Sequence, residues 1–245
     1  MRDKGVIDPE LQLKDLETEE NRIAKVAKQA QTGGDKSAKR QYEILLRYKA
    51  ALEQGLSART VELDKEERKI MQDLNLRTDK PVLYLCNVDE KSAVTGNKYT
   101  EAVAEAIKDE NAEMLIVAAA TEADIAELES YEERQMFLED MGLTESGVSR
   151  LIKAAYKLLN LETFFTTGAD ESRAWTYVRG AKAPQAAGTI HTDFEKGFIR
   201  AEVIKYDAYV ALGSEKACRD VGKIGIEGKE YVVQDGDIMH FLFNV

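Results

Sequence analysis

A short polar segment after an apolar run carries the side chains best suited to chemistry. Asn87 is followed by Val88 and, three residues after the asparagine, by Glu90. An asparagine amide is donor and acceptor together and can pair with a purine edge, while a carboxylate accepts hydrogen bonds from base amino or imino groups. We therefore expect Asn87, Val88 and Glu90 to form part of a purine site, although an asparagine after a strand is also typical of an ordinary turn.

A second segment, of small residues, follows the next apolar run. Ala118, Ala119 and Ala120 leave room for backbone N–H groups to approach a planar ring. Three alanines at the end of a strand are also typical of tight packing, so neither segment is specific by itself. Their order along the chain, with one predicted crossover helix between them, favours a single pocket lined by both.

The elements that must position these segments are predicted from hydrophobic periodicity. Continuous apolar runs at 81–86 and 114–118 indicate strands buried on both faces of a parallel sheet, with a helix at 97–109 between them. The second strand ends in a predicted loop, and helices at 131–140 and 146–159 follow. Because ligands bind at the carboxyl ends of strands in open α/β sheets, both segments should meet at that edge.

The first part of the chain has helical periodicity. Residues 8–31 and 35–54 are predicted to form two helices joined by a glycine turn at 31–35, with an N-cap and a proline at the first start. A shorter helix is predicted at 64–75. Narrow apolar stripes and charged outer faces favour an antiparallel coiled-coil arm, and the alternative is an ordinary helical-bundle fragment.

From residue 161 the apolar period shortens towards two, which indicates a separate α+β module. Short helices are predicted at 184–188 and 206–221. The predicted strands are 161–166, 173–178, 199–205, 224–226, 230–233 and 237–243.

Composition excludes several classes of protein. A net charge of −11 argues against broad, salt-driven binding of nucleic acid, and no DNA specificity is expected. The two cysteines, Cys86 and Cys218, are too far apart to suggest a metal site or a disulfide framework, which favours a reduced cytoplasmic setting. No apolar run approaches the roughly 18 residues that a membrane span needs, so no membrane partner is expected.

A resemblance to a known family rests on these same segments. The run KPVLYLCNVDE at 80–90, followed by VAAATEADIAEL at 117–128, resembles the base-recognition region of Obg-like ATPases of the YchF type. The wider class of P-loop GTPases has Asn-Lys-x-Asp here, whereas this chain has Val88 in place of the lysine and Glu90 in place of the aspartate. The resemblance implies ATP as the preferred nucleotide, with weaker binding of GTP.

Two further segments extend the resemblance to nearly the whole chain. HTDFEKGFIRAEV at 191–203 is similar to the TGS domain of that family, a β-grasp fold related to ubiquitin, and 13–39 is similar to its helical insertion. The resemblance implies association with ribosomes, with either subunit possible, and contact with RNA or protein through the TGS domain and the arm.

No phosphate-binding loop of the Gly-Lys-Ser/Thr type follows a predicted strand, and the glycines at 33–34 lie in the predicted hairpin turn. In the family, the phosphate loop, the switch segments, the catalytic histidine region and the Mg²⁺ ligands precede the matching part. His191 and His240 do not correspond to that histidine. We therefore expect no catalytic or metal-binding residue in this chain and no ATPase activity from it alone.

The predicted architecture combines α/β, α and α+β parts. Residues 1–79 form the helical arm with its connections, 80–159 the carboxy-terminal part of a P-loop-type doubly wound parallel sheet, and 160–245 the TGS domain. The leading hypothesis is a truncated YchF-type ATPase that keeps the purine-recognition loops. The alternative is a ribosome- or RNA-binding module that acts without nucleotide.

Charged and aromatic residues of the last module allow two interpretations. One is a basic and aromatic surface on which RNA bases stack. The other is that several aromatic rings fill a small core. Candidates for the surface are Arg173, Trp175, Arg179, Lys182, Phe194, Lys196, Phe198 and Arg200; candidates for the core are Trp175, Phe198, Phe241 and Phe243.

Overall fold

The fold divides between Arg150 and Leu151 into two units. Each unit has its own core of buried residues. No helix in the described part of the chain is long and apolar enough to cross a membrane. The computed structural model describes residues 2–31, 36–110, 112–168 and 171–244.

The first unit begins with two antiparallel helices, α1 (Lys4–Gln31) and α2 (Lys36–Glu53). Both were expected, but the predicted start of α1 at residue 8 is wrong. The carbonyl of Asp3 accepts the amides three and four residues later, so the first turn forms before Pro9. That proline then lies inside the helix, where its missing N–H costs one hydrogen bond. Residues 32–35, at the predicted turn, lie outside the described residues.

A third segment covers the helical hairpin. It includes a 3-10 helix (Ala58–Thr60) and α3 (Lys65–Ile70), which is capped by Asp64 and is shorter than the predicted helix at 64–75. The hairpin is thus packed against a returning segment and shares a core with it. The fully or almost fully buried members of this core include Ile44, Leu45, Tyr48, Ala58, Met71 and Leu76.

The α/β part of this unit contains β1 (Leu83–Asn87), α4 (Lys98–Ile107) and β2 (Glu113–Val117). The strands are parallel and in register from Leu83 opposite Glu113 to Asn87 opposite Val117, which confirms the predicted parallel pair. The expectation that the first strand is buried on both faces is wrong, because Leu85 at its centre is 50% exposed. Among the described residues, β1 has β2 as its only neighbouring strand.

Three helices follow β2: α5 (Ala119–Glu127), α6 (Tyr131–Asp140) and α7 (Gly147–Leu158). The last two confirm their predictions. The loop expected after the second strand is wrong, because α5 begins directly at the alanine run. Alanine has the highest helix propensity, so this segment continues as a helix once the strand ends.

The second unit contains one five-stranded mixed sheet with the order β4-β3-β7-β5-β6. Its strands are β3 (Leu161–Thr167), β4 (Ser172–Val178), β5 (Phe198–Ile204), β6 (Ile224–Glu227) and β7 (Ile238–Phe243). Its helices are α8 (Ala183–Ile190), α9 (Thr192–Lys196), α10 (Tyr206–Leu212) and α11 (Glu215–Asp220).

Two predictions for this unit are wrong. The strand expected at 230–233 is reduced to an isolated bridge between Lys182 and Val232. The single helix expected at 206–221 is broken at Gly213, whose φ of +78° places it in the left-handed region. The Gly213 amide bonds to the carbonyl of Tyr209 and ends α10 there.

The aromatic residues of the second unit divide into rings buried in its core and rings that remain partly exposed. Phe164 is fully buried and packs against Tyr177 and Phe241. The core interpretation is confirmed for Phe198 and Phe241, which are 3% and 7% exposed, so Phe198 leaves the predicted RNA surface. Trp175 packs against the edge of the core, and Phe243, 37% exposed, stacks on Phe194 with ring centroids 3.8 Å apart.

Candidate nucleotide-binding site

Asn87 joins the two segments predicted to form the site. It is the last residue of β1, and its side-chain Oδ1 accepts the backbone N–H of Ala119, the first residue of α5, at 3.0 Å. Beside it, the N–H of Val88 donates to the carbonyl of Val117 at 2.9 Å. The ends of both strands are therefore held together at the carboxyl edge of the sheet.

The hydrogen bond to Ala119 fixes how the Asn87 amide is presented. Because only its oxygen can accept from a backbone N–H, the amide nitrogen is turned away from Ala119. The side chain is exposed, and its Nδ2 has no protein acceptor among the described residues. Two donor hydrogens are thus available to an incoming acceptor, such as a ring nitrogen of a purine.

The alanine segment offers backbone donors rather than side chains. Ala118 is buried, whereas Ala119 and Ala120 are exposed at the first turn of α5. First-turn amides have no intrahelical acceptor, and Asn87 satisfies only that of Ala119. In the described part of the chain, the amides of Ala120 and Thr121 have no acceptor, which leaves them free for a polar ligand.

The two acids after Val88 have different environments. Asp89 caps a 3-10 helix (Glu90–Ser92) by accepting the amide of Ser92 at 3.0 Å, and hydrogen bonds from Ser92 lower the pKa of Asp89 below its ordinary value. Glu90 is exposed and has no partner among the described residues. Glu90 is consequently the acid of this pair that remains available to a ligand.

A cleft of about 620 Å³ runs along β1 and ends at Asn87. Of the six predicted site residues, only Asn87 and Val88 line it; Glu90 and the three alanines do not. The structure therefore places these residues in two groups that meet at Asn87. Other residues lining the cleft include Ile7, Tyr84, Cys86, Asn97, Tyr99 and Thr100.

Tyr99 and Asn97 bring polar and aromatic groups to this cleft that sequence reasoning missed. Asn97 caps α4 by accepting the amides of Tyr99 and Thr100 at 2.9 and 3.2 Å. Tyr99 is 70% exposed, with the Lys98 ammonium 5.1 Å from its ring centroid. The signal in the sequence is an N-cap asparagine directly before the helix that follows the Asn87 segment.

An ionic network closes the opposite end of the cleft. Lys4 binds Glu110 at 2.6 Å and also pairs with Asp8, while the hydroxyl of Tyr84 donates to Glu110 at 2.8 Å. Burial alone would lower the pKa of Lys4, but the carboxylates of Asp8 and Glu110 raise it above its ordinary value. Lys4 and Glu110 are far apart in sequence, so no local pattern predicts their contact.

The histidines and cysteines form no reactive constellation with one another. His191 caps α9 by accepting the amide of Asp193 at 3.2 Å, and His240 lies exposed on β7. Both cysteines are free, and burial raises the pKa of the Cys86 thiol. Among the described residues, no group of three or more histidine, cysteine, aspartate or glutamate side chains is placed to hold a metal ion.

Comparisons with known proteins agree with this architecture. The family model described as "YchF-GTPase_C: Protein of unknown function (DUF933)" matches residues 161–244. "Ribosome-binding ATPase YchF" of Bacillus subtilis (strain 168) is 49% identical over 245 residues, which cover 99% of this chain and 66% of that protein. "Obg-like ATPase 1" of Rattus norvegicus is 43% identical over 249 residues, which cover 100% of this chain and 62% of that protein.

A solved structure also matches across both units. It is titled "Structure of the Schizosaccharomyces pombe YchF GTPase", with a TM-score of 0.85, 33% identity, and coverage of 98% of this chain and 65% of that one. The fold is accordingly a YchF-type fold. The chain belongs to the YchF-type family of Obg-like ATPases, and it spans 66% of the length of its Bacillus subtilis relative.

Proposed function

We propose that this chain recognises the purine base of ATP, and of GTP more weakly, and that it associates with ribosomes in the cytoplasm as a YchF-type protein. The names of its relatives support the nucleotide and the ribosome. The single observation that carries base recognition is the 3.0 Å hydrogen bond from Ala119 to Asn87, since it joins the two segments and leaves the Asn87 amide nitrogen free.

Three parts of the chain support a more specific fold assignment than family membership alone. The parallel pair β1–β2 with its crossover helix α4 supports an assignment to a P-loop-type doubly wound sheet. The mixed five-stranded sheet packed against α8 supports assignment of 161–244 to a TGS domain of the β-grasp type. The hairpin of α1 and α2 would then be the family's helical arm.

Base recognition in this proposal uses donors and a carboxylate. The Nδ2 of Asn87 donates to a ring nitrogen of the purine, while the half-buried Val88 side chain contacts the ring. Glu90 accepts from the amino group on C6 of adenine. Guanine instead has an N1–H that the aspartate of Asn-Lys-x-Asp reads in GTPases, and this chain has Val88 and Glu90 in place of that motif's lysine and aspartate.

Hydrolysis is not proposed for these residues. The 245-residue sequence contains no Gly-x-x-x-x-Gly-Lys-Ser/Thr loop, whose amides and lysine would hold the phosphates. The described residues include no cluster of three or more histidine, cysteine, aspartate or glutamate side chains placed to hold Mg²⁺. We expect no magnesium-dependent turnover of ATP by the purified chain.

Adenosine is the sharpest probe, because it contains the part of ATP that these residues would contact. Saturation-transfer NMR on the full chain should show contact with the adenine ring and a weaker signal with guanosine. Replacement of Asn87 by Ala should weaken adenosine binding at least about tenfold, through loss of a hydrogen bond and of the link to Ala119. The control is Asn21→Ala on the exposed surface of α1. Equal adenosine signals from both variants would refute the site.

Ribosome association needs a separate measurement. Co-sedimentation of the chain with ribosomes, with and without ATP, should show binding that ATP changes. Asn87→Ala should abolish the effect of ATP without abolishing sedimentation. A chain that never sediments with ribosomes would contradict the proposed partner, whatever the adenosine result.

A further inference from the structure

Strand β4 forms one edge of the five-stranded sheet and, apart from the charge of Arg173, lacks the features that usually protect such an edge. All seven of its residues pair one-for-one with β3, without a bulge. It contains no proline and no lysine, and six of its seven residues are exposed or half-buried. The opposite edge, β6, has only four residues. Long regular edges of this kind readily accept another strand.

The hydrogen bonds at both ends of β4 fix which backbone groups point outward. The amide of Arg179 donates to Asn160 at 2.8 Å, and the carbonyl of Glu171 accepts from Gly168 at 2.8 Å, so odd-numbered residues face β3. In an antiparallel strand, the backbone N–H and C=O of one residue point to the same side, and this side alternates from one residue to the next. The outward-facing residues are Ser172, Ala174 and Thr176, and among the described residues their amides and carbonyls have no backbone partner.

Two side chains beside this edge are fixed in a way that suits an anion. The guanidinium of Arg173 lies 4.6 Å from the centroid of the Trp175 ring. The indole N–H donates to Thr166 at 2.9 Å, which holds the ring in place. No carboxylate pairs with Arg173 in the described part of the chain, so its planar set of donors is available to a carboxylate.

We propose that β4 binds an extended peptide segment of a partner protein as an added antiparallel strand. Ser172, Ala174 and Thr176 would exchange backbone hydrogen bonds with it. Arg173 and Trp175 then occupy the non-hydrogen-bonded positions, where opposing Cα atoms approach to about 4.5 Å and side chains are closest. A carboxylate opposite Arg173 and an apolar side chain opposite Trp175 complete the match. This surface goes beyond the proposed nucleotide site and does not depend on it.

The geometry predicts an order of residues in the partner. Because the strands are antiparallel, the residue opposite Trp175 precedes the residue opposite Arg173. The recognised segment therefore reads apolar, any residue, acid from its amino end. Net charge does not drive this contact, since the chain is acidic overall at −11, so the preference rests on one local cation.

Trp175 is the only tryptophan in the chain and reports on this edge directly. A capped heptapeptide of threonines, with a central valine and a glutamate two positions later, should give a saturable change in its fluorescence. The same peptide with glutamine should bind up to about fivefold more weakly, the effect of an opposite-charge cross-strand pair. The Arg173→Gln variant should bind both peptides equally. No saturable change with the glutamate peptide, or an unchanged preference in Arg173→Gln, would overturn the proposal.

A proline at position 174 tests the backbone pairing. Ala174→Pro removes an outward N–H and no inward ladder bond, so binding should fall more than tenfold, whereas Ala174→Ser should bind like the parent chain. Hydrogen exchange on the unaltered chain tests the same contact without a substitution: the peptide should protect the amides of Ala174 and Thr176. Unprotected amides, or quenching of Trp175 by an oligouridylate but not by the peptide, would instead assign the edge to nucleic acid.

Discussion

Each unit of this molecule buries a carboxyl group, and the two groups have opposite environments. Asp237 in the second unit is 1% exposed and accepts hydrogen bonds from Lys205 and Tyr231, each at 2.6 Å, and from the amide of Gln234 at 3.0 Å. Glu19 in the first unit is 0% exposed, and neither of its oxygens has a hydrogen-bond partner. The buried carboxylate of Asp237 is stabilised because it pairs with Lys205. Glu19 has no such partner, so burial favours its protonated, neutral form.

Asp15 shows that the first unit can also satisfy a buried acid. One helical turn before Glu19, it accepts the amides of Arg77 and Thr78 at 2.9 and 2.7 Å and the Thr78 hydroxyl at 2.8 Å. These bonds tie the returning segment to α1. Burial, reinforced by the nearby Asp15 charge, raises the pKa of Glu19 to about 8. In the first unit, polar contacts thus add to the apolar core that joins the returning segment to the hairpin, whereas the second unit is held by an aromatic core around Phe164.

The largest expected effect tests that aromatic core. Phe164→Ala should lower the free energy of unfolding by about 4 kcal/mol, because it removes a fully buried ring and leaves a cavity. Urea unfolding measures it, with Trp175 fluorescence to follow the second unit and far-ultraviolet circular dichroism to follow the first. Leu85→Ala in the half-exposed strand β1 is the control and should cost less than about 1.5 kcal/mol. Similar losses from both substitutions would mean that the two sheets do not differ in packing as described.

Asp15→Asn tests the polar closure of the first unit and should cost about 2 kcal/mol. The amide that replaces one carboxylate oxygen cannot accept, so at least one buried donor of Arg77 or Thr78 loses its partner. Urea unfolding followed by far-ultraviolet circular dichroism reports on these helices. Asp140→Asn, at the exposed end of α6, should leave stability unchanged. A neutral result for Asp15→Asn would show that the returning segment is held by its apolar contacts alone.

Glu19→Gln should have the opposite sign and should depend on pH. The folded chain holds the Glu19 proton more tightly than the unfolded chain, whose carboxyl has its ordinary pKa of 4.5, so stability falls as pH rises from 4.5 to about 8. Glutamine cannot ionise and so avoids this loss, but its buried amide group would also lack a partner, so we expect a net stabilisation of at least about 1 kcal/mol above pH 8 and less at pH 5.

Unfolding midpoints between pH 5 and pH 9 check this dependence. The control is Glu10→Gln, at an exposed position on the same helix, which should leave the pH dependence of the unfolding midpoint unchanged. If the difference between Glu19→Gln and the parent chain is constant across this range, Glu19 is ionised in the folded state and its carboxylate has acquired a partner.

Apolar patterns and general rules of sheet geometry were sufficient to predict most elements and one strand pair. The parallel pair, the αα-hairpin helices and the meeting of the Asn87 and Ala119 segments follow from apolar runs and from the rule that strand ends share an edge. Side-chain contacts between distant elements were not predictable in this way. Lys4 meets Glu110, and Asp15 meets Thr78, only because the fold packs their elements together. The sequence predicts a loop at 118–120 after the second strand, but Ala119 and Ala120 begin α5 because alanine has a high helix propensity.

The smallest expected effect concerns backbone conformation, and it compares the same substitution in both units. Gly213 ends α10 at a φ of +78°, so Gly213→Ala should destabilise the chain by about 1 kcal/mol although its Cβ would meet no atom within 4 Å. Gly5 lies in α1, also with open space around it and without a positive φ, so Gly5→Ala should stabilise the chain by about 0.5 kcal/mol. Urea unfolding of both variants gives the two signs. A stabilising Gly213→Ala would indicate that α10 and α11 join into the single helix that the sequence favours.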